Sequence, residues 1–190
     1  MIKNIVFDMG NVLTNLHCLQ RMRTPFELQN DFSVAILGLS KFFREEVAVT
    51  AQTMQIGNRP CRIYGEAHAK YLLLQMTGEH ELQSMDHEVT VIAQSSWNFL
   101  FAAIPVESWN DALSPWEAPA VWGKESFGCN AADTLRFLTE QVIPTLKQQF
   151  HLPENVKIIL GGYSLAGLFA LWASTQTNLF YGVAAASPSV

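Results

Sequence analysis

One serine in the sequence stands where a nucleophile could work. Ser164 lies in the stretch GGYSLAGLFALWA, between an apolar run typical of a buried strand and one typical of a helix. A catalytic serine on such a turn is exposed at the carboxyl edge of a sheet, and only small residues fit two positions before and after it. Gly162 and Ala166 meet that requirement, and Gly167 leaves further room. The pattern therefore predicts a nucleophile elbow at Ser164.

A reactive serine also needs groups that stabilise the oxyanion formed during its attack. The helix that begins after Ser164 directs the positive end of its dipole, and the backbone N–H of Leu165, toward that charge. We therefore expect Leu165 to supply one half of an oxyanion hole. A turn of this kind also joins strands to helices in proteins without catalysis, so a purely structural role stays open at this level.

The elements that must position Ser164 alternate between strands and helices. The continuous apolar run VKIILGGY predicts a central parallel strand buried on both faces, and FYGVAAASPSV predicts the next strand. Residues 130–150 predict an amphipathic helix with Asn130 as its N-cap and a kink at Pro144. The alternation predicts the α/β class, with a mostly parallel sheet and helices on both faces.

The first two thirds of the chain add further elements. CRIYG and KYLLLQM predict neighbouring strands, GEHELQSMDHE a polar helix, and VTVIAQ and NFLFAAIPV two more strands. Residues 2–7 predict a short strand and residues 32–47 a helix, whereas the turn-rich TAQTMQIGNRP predicts a linker. We therefore divide the chain into a lead segment, residues 1–54, and an α/β domain, residues 55–190.

Three stretches carry a likeness to one family: GGYSLAGLFALWA, GVAAASPS and the upstream VESWNDALSPWEAPAVWGKESFGCNAADTLRFL. They resemble bacterial α/β-hydrolase esterases of the esterase D type, and the resemblance covers about residues 55–190. It implies hydrolysis of carboxylic esters with Ser164 as the nucleophile and the N–H of Leu165 as one oxyanion donor. The second donor would come from the turn after KYLLLQM, at Met76 or Thr77.

The same resemblance bears on the substrate. It implies a small-molecule ester and no cofactor. The loop SWNDALSPWEAP would lie near the mouth of the site, where Trp109 and Trp116 would form apolar walls. Two tryptophans that simply anchor a long loop onto the core are an equally good interpretation.

The sequence offers no obvious base for Ser164. In α/β hydrolases the chain order is serine, then acid, then histidine. No acidic residue follows Ser164, and all five histidines precede it: His17, His68, His80, His87 and His151. We therefore expect a truncated esterase with an incomplete α/β-hydrolase fold and weak or no activity. The strand around Val183–Ala186 would then be an unpaired apolar edge that favours self-association.

A second pattern lies at the N-terminus. NIVFDMGNVL resembles the first motif of haloacid-dehalogenase-type phosphatases over about 14 residues. That resemblance implies Asp8 as a nucleophile and Mg²⁺ in the site, with Thr77 or Ser95 and Lys147 or Lys157 supplying the other motifs. Such a phosphatase, and a catalytically inactive α/β binding module, are the alternatives to the esterase.

Composition limits the partners. With 12 basic and 17 acidic residues, a net charge of −5 and no long run of Lys or Arg, we expect no nucleic acid. No apolar stretch is long enough to span a membrane, and the N-terminus does not resemble a signal peptide, so we expect a cytoplasmic protein. Three widely spaced cysteines favour reduced thiols. His80 and His87 lack the spacing of a helical zinc pair, so we expect no metal site.

Overall fold

A seven-stranded sheet forms the centre of the computed structural model, which describes residues 4–8, 51–78, 81–82, 85–95, 98–121 and 123–188. The strands are β1 (Asn4–Asp8), β2 (Ala51–Ile56), β3 (Arg59–Gly65), β4 (Tyr71–Gly78), β5 (Phe99–Val106), β6 (Lys157–Tyr163) and β7 (Gly182–Ala186). Their order across the sheet is β1-β7-β6-β4-β5-β3-β2. In this sheet order, the four pairs β1–β7, β7–β6, β6–β4 and β4–β5 are parallel. The two remaining pairs, β5–β3 and β3–β2, are antiparallel. The predicted mostly parallel sheet is confirmed.

Helices cover both faces of the sheet. They are α1 (Met85–Ser95), α2 (Trp109–Leu113), α3 (Ala131–Phe137), α4 (Ile143–Gln149) and α5 (Leu165–Gln176). α1 packs Val89 against one face together with Phe101 of β5. The other helices pack against the opposite face, where Phe169 of α5 shares a larger apolar core with Leu160 of β6. None of the helices in the described part of the chain is long and apolar enough to cross a membrane.

The strand that leads to Ser164 lies inside the sheet, as its apolar run predicted. β6 pairs in parallel with β4 on one side and with β7 on the other. Its residues from Ile158 to Gly162 are all buried. Two neighbours and two covered faces therefore hold the end of this strand in a fixed position.

The segment predicted to be a linker is instead half of a β-hairpin. β2 pairs antiparallel with β3, and the pair Ile56 and Arg59 closes a two-residue turn at Gly57 and Asn58. Gly57 has φ 57°, a conformation that glycine adopts at little cost. The Gly-Asn dipeptide between two runs is a recognised hairpin signal, and it explains why this polar stretch is ordered. The predicted domain boundary at residue 54 falls within β2.

The strands predicted to be neighbours, CRIYG and KYLLLQM, are separated by another strand. β3 pairs with β5, and β4 pairs with β5 and β6. All eight residues of β5 are buried, so it occupies an interior position between β3 and β4. The prediction that CRIYG and KYLLLQM are neighbouring strands is therefore wrong, because the fully buried strand β5 lies between them.

The stretch VTVIAQ is helical rather than extended, which corrects the predicted strand. It lies within α1, where Met85, Val89 and Ala93 are buried at four-residue intervals. That interval places all three side chains on the face that packs against the sheet. β-branched residues favour strands in general, but burial of this helical stripe outweighs that preference.

The amphipathic helix predicted over residues 130–150 is present but interrupted. α3 and α4 are joined by a π-helical turn, Leu138–Val142, which ends just before Pro144. Proline lacks a backbone N–H and clashes with the preceding turn, so a wider turn at this place accommodates it. Asn130 precedes the helix without a side-chain capping bond, and its Nδ2 donates to Asp111 Oδ2 over 2.7 Å instead.

The strand expected to form an open edge is covered. β7 pairs in parallel with β1 along its whole length, from Asn4 beside Gly182 to Asp8 beside Ala186. The expectation of an unpaired edge at Val183–Ala186 is therefore wrong, since part of the lead segment supplies the missing neighbour. The helix predicted over residues 32–47 lies outside the described residues.

Candidate active site

Ser164 occupies a sharp turn between β6 and α5. Its backbone has φ 55° and ψ −123°, values that an L-residue rarely adopts and that cost free energy. Two hydrogen bonds hold the turn in place: Ser164 N–H donates to the Ala186 carbonyl over 2.9 Å, and Leu168 N–H donates to the Ser164 carbonyl over 3.1 Å. The turn therefore has the strained geometry that the small residues around the serine predicted.

The small residues at the elbow are required by contact. A Cβ on Gly162 would lie 2.5 Å from the carbonyl oxygen of Ala166 and 2.6 Å from its Cβ. A Cβ on Gly167 would lie 3.0 Å from the Gly162 carbonyl oxygen and 3.2 Å from that of Ala186. β6, α5 and β7 thus meet through backbone atoms at this point. Larger residues would push the three elements apart and displace the serine.

The N-terminus of α5 lies directly after Ser164. Leu165 is the first residue of this helix of 12 residues, and its side chain is buried. The first four N–H groups of a helix have no acceptor within it, and the helix dipole adds positive potential there. The N–H of Leu165 therefore has no acceptor within α5.

Met76 and Thr77, the residues predicted to supply a second donor, lie inside a strand and not in the turn after it. β4 continues to Gly78 and pairs with β5 over its full length, with Met76 beside Ile104 and Thr77 beside Pro105. Both side chains are buried, and Thr77 Oγ1 has no hydrogen-bond partner among the described residues. The two residues thus belong to the strand itself, and their role as oxyanion donors stays a prediction.

Gly78 is the residue of β4 that stands level with the elbow. The last β4–β6 pair is Gln75 with Gly161, and Gly78 and Ser164 each lie three residues beyond it. The N–H of Gly78 donates to Glu81 Oε2 over 3.0 Å. Gly78 is the last residue of β4, and a glycine after a buried run often marks the end of a strand.

A second carboxyl group lies on α1, behind the end of β4. Glu88 Oε2 accepts a hydrogen bond from Gln75 Nε2 over 3.1 Å. Burial raises the pKa of Glu88 above its usual value; the Gln75 hydrogen bond opposes that rise, and the nearby Glu81 carboxylate adds to it. Burial therefore disfavours the charged form of Glu88.

The two loop tryptophans have different environments. Trp109 begins α2 and packs, half-buried, against the main apolar core. Trp116 is 48% exposed, and its carbonyl accepts a hydrogen bond of 2.6 Å from Ser114 Oγ. Trp109 thus fits the role of an anchor, whereas the exposed ring of Trp116 could contact a ligand.

Two of the described histidines lie far from Ser164. His151 follows α4 and lies beside His68, which precedes β4, so both stand at the edge where β4 and β6 begin. Ser164 lies at the opposite end of β6, roughly 20 Å away at about 3.3 Å per residue. His87 is exposed on α1, and His17 and His80 lie outside the described residues. His68 and His151 are therefore not placed to take a proton from the serine.

The residues named for a phosphatase are brought together only in part: Thr77, two residues beyond the pair Gln75 and Gly161, lies at the edge that Asp8 shares, whereas the lysines do not. Asp8 ends β1, and the register of β1, β7 and β6 places it at the same edge as Tyr163. Lys157 begins β6 at the opposite edge, and Lys147 on α4 lies 3.8 Å from Glu154. Ser95 is the last residue of α1. Within the described ranges, no group of three or more His, Cys, Asp or Glu side chains could hold a metal ion.

Comparisons with known proteins extend these observations. Residues 99–190 match the model of the esterase family, described as "Putative esterase". A comparison with curated proteins finds no match. The siderophore hydrolase EstA from Aspergillus nidulans shares the fold with TM-score 0.53 and 18% identity, over 79% of this chain and 60% of that one. The enterobactin and salmochelin hydrolase IroE gives TM-score 0.54 and 16% identity, over 76% of this chain and 64% of that one.

The chain thus spans less than two thirds of the length of either of these hydrolases. At such low identity the structural matches establish the fold, while the family model adds a sequence match around the elbow. No comparison supports a haloacid-dehalogenase phosphatase. The resemblance predicted from the sequence is confirmed: the chain resembles the esterases with an α/β-hydrolase fold.

Proposed function

We propose that this chain is a carboxylic-ester hydrolase in which Ser164 is the nucleophile. The observation that carries the proposal is the backbone of Ser164, a non-glycine residue held at φ 55° between a buried strand and a helix N-terminus. Strain of this kind persists only where the surroundings impose it, and it is concentrated at functional sites. The family match over residues 99–190 covers this turn and supports the same chemistry.

The proposed reaction begins with attack of Ser164 Oγ on the ester carbonyl carbon. The carbonyl oxygen becomes an oxyanion, which the N–H of Leu165 and the N-terminus of α5 stabilise. We place the second donor at the end of β4, where Gly78 is level with the serine and Met76 and Thr77 lie deeper in the strand. The N–H of Gly78, which donates to Glu81 Oε2, would exchange that acceptor for the oxyanion. The serine proton passes to water, collapse of the intermediate breaks the bond to the alkoxy oxygen, and that oxygen takes a proton from water as the alcohol leaves. The acyl-serine that remains is then hydrolysed by water to release the acid and restore the serine.

We further propose that this chain turns over slowly. An alcohol needs a base to take its proton, and His68 and His151 lie at the opposite edge of the sheet from Ser164. In serine hydrolases the loss of a triad member lowers turnover by about 10⁴–10⁶, and the oxyanion hole supplies the remainder. A weak esterase is therefore the expected behaviour.

The substrate is proposed to be a small-molecule ester. Two hydrolases with this fold are named for siderophores, which makes siderophore-type esters natural candidates to test. The exposed ring of Trp116 offers an apolar surface for part of such a ligand.

We also propose a location in the cytoplasm. Cys61 and Cys129 are free thiols, which suits a reducing compartment such as the cytoplasm.

A fluorophosphonate probe tests the nucleophile directly, because it reacts with activated serines without needing turnover. Because we propose that Ser164 lacks a nearby base, we expect slow covalent labelling of the wild-type chain at high probe concentration, a mass increase located at Ser164, and loss of labelling in Ser164→Ala. Ser126→Ala removes an exposed serine from the loop before α3 and is the matched control, which should label like wild type. Equal labelling of Ser164→Ala and wild type would overturn the assignment, and a folded chain that never labels would favour an inactive binding module.

A further inference from the structure

Two histidines at the edge of the sheet opposite Ser164 share an unusual backbone conformation. His68 has φ 61° and His151 has φ 49°, both in the left-handed region. Glycine adopts this region freely, whereas a histidine there is uncommon. An uncommon backbone conformation at two neighbouring residues of the same type is a reason to look for a shared role.

His151 stands at a helix end where glycine is the preferred residue. Leu152 N–H donates to the Lys147 carbonyl over 3.0 Å, and His151 N–H donates to the Gln148 carbonyl over 3.4 Å. These two bonds define a Schellman motif at the end of α4, with His151 at the position where glycine is preferred. The capping geometry alone would be better served by glycine, so the imidazole is not explained by the helix end.

The two histidines are joined by direct contacts. His68 N–H donates to the Phe150 carbonyl over 2.8 Å, and His68 Nδ1 lies 3.1 Å from the carbonyl oxygen of His151. Their rings stack with centroids 5.8 Å apart and planes 23° from parallel. Both side chains are exposed to solvent.

The contact at Nδ1 determines which nitrogen of His68 can bind a ligand. A carbonyl oxygen only accepts hydrogen bonds, so Nδ1 must carry the proton, and the lone pair of a neutral ring is then on Nε2. Metal-binding histidines commonly donate one ring N–H to a carbonyl in this way, which orients the ring and raises the basicity of the other nitrogen. His68 therefore has the arrangement of a metal ligand.

We propose that His68 and His151 form a surface site for a divalent transition-metal ion of the Zn²⁺, Ni²⁺ and Cu²⁺ type. Imidazole nitrogen suits these ions, whereas Mg²⁺ and Ca²⁺ prefer oxygen ligands. The described residues offer no third His, Cys, Asp or Glu ligand at this place, so water completes the coordination. The ion would connect the loop before β4 to the end of α4.

Titration calorimetry of the full chain with ZnCl₂ tests the site, with MgCl₂ as the negative probe. We expect Zn²⁺ to bind with one ion per chain at this site, and His68→Asn and His151→Asn each to weaken binding at least about tenfold, because one of two linked ligands is lost. Asparagine tolerates the left-handed conformation, so both variants should keep the fold. His87→Asn removes an exposed histidine from α1 and should bind like wild type.

His151→Gly provides a second test that does not depend on the asparagine variants. Glycine is the preferred residue in this helix end, so the variant should unfold at the same or a higher temperature than wild type. It should nevertheless lose the rise in unfolding temperature that Zn²⁺ gives the wild-type chain. A Zn²⁺ response that is equal in wild type, His68→Asn and His151→Gly would overturn the proposal, and so would a response lost in His87→Asn.

Discussion

Replacing Gly162 by alanine tests how tightly the elbow is packed. The added Cβ would lie 2.5 Å from the Ala166 carbonyl oxygen, whereas ordinary contacts begin at 3.4 Å, so β6 and α5 would have to separate by roughly 0.9 Å at this point. The obstructing atoms belong largely to the backbone and cannot turn aside. Overpacking of this kind costs about 1–3 kcal/mol, and we expect the upper end.

The preceding glycine offers a matched control. A Cβ on Gly161 would meet its nearest atom, the Ala184 carbonyl oxygen, at 3.5 Å, which is an ordinary contact. Gly161→Ala should therefore leave stability unchanged or raise it by up to about 1 kcal/mol, since alanine loses less conformational freedom on folding. Both substitutions lie in the same buried strand and add the same methyl group.

Thermal unfolding followed by circular dichroism measures the difference. For a chain of this length about 3 kcal/mol corresponds to a fall of roughly 6–12 °C for Gly162→Ala, against little change for Gly161→Ala. The rate of fluorophosphonate labelling should also fall in Gly162→Ala, because Ser164 moves with the turn. Equal unfolding temperatures and labelling rates in the two variants would refute the packing argument.

Two further predictions concern the carboxyl group on α1 and the first strand. Burial raises the pKa of Glu88, so this carboxyl binds a proton more tightly in the folded chain than in the unfolded chain. Its ionisation therefore lowers the free energy of unfolding once the pH rises above about 4.3, the pKa of a glutamate in an unfolded chain. Glu88→Gln, which can still accept the bond from Gln75, should therefore unfold at a higher temperature than wild type at pH 7 and at a similar one at pH 3.5; a wild-type advantage at pH 7 would contradict this. Removal of residues 1–8 should expose the edge of β7 and increase self-association in gel filtration, and an unchanged elution volume would argue against a protective role for β1.

The sequence by itself determined the turn that carries the candidate nucleophile. The requirement for small residues around Ser164 is local, and it is met within the few residues from Gly162 to Gly167. The buried strand before the turn could also be predicted, because β6 is apolar on both faces and a short continuous apolar run is typical of an interior parallel strand. Features that depend only on residues close together along the chain can be recognised from the sequence alone.

Tertiary structure decided the features that join distant parts of the chain. β1 pairs with β7 across more than 170 residues of sequence, and nothing in either strand specifies its partner. VTVIAQ is helical because its four-residue stripe packs against the sheet, a contact that no local preference reveals. His68 and His151 meet, and stand far from Ser164, only because β4 and β6 are parallel neighbours. Such pairings minimise the free energy of the whole fold, so a local pattern cannot specify them.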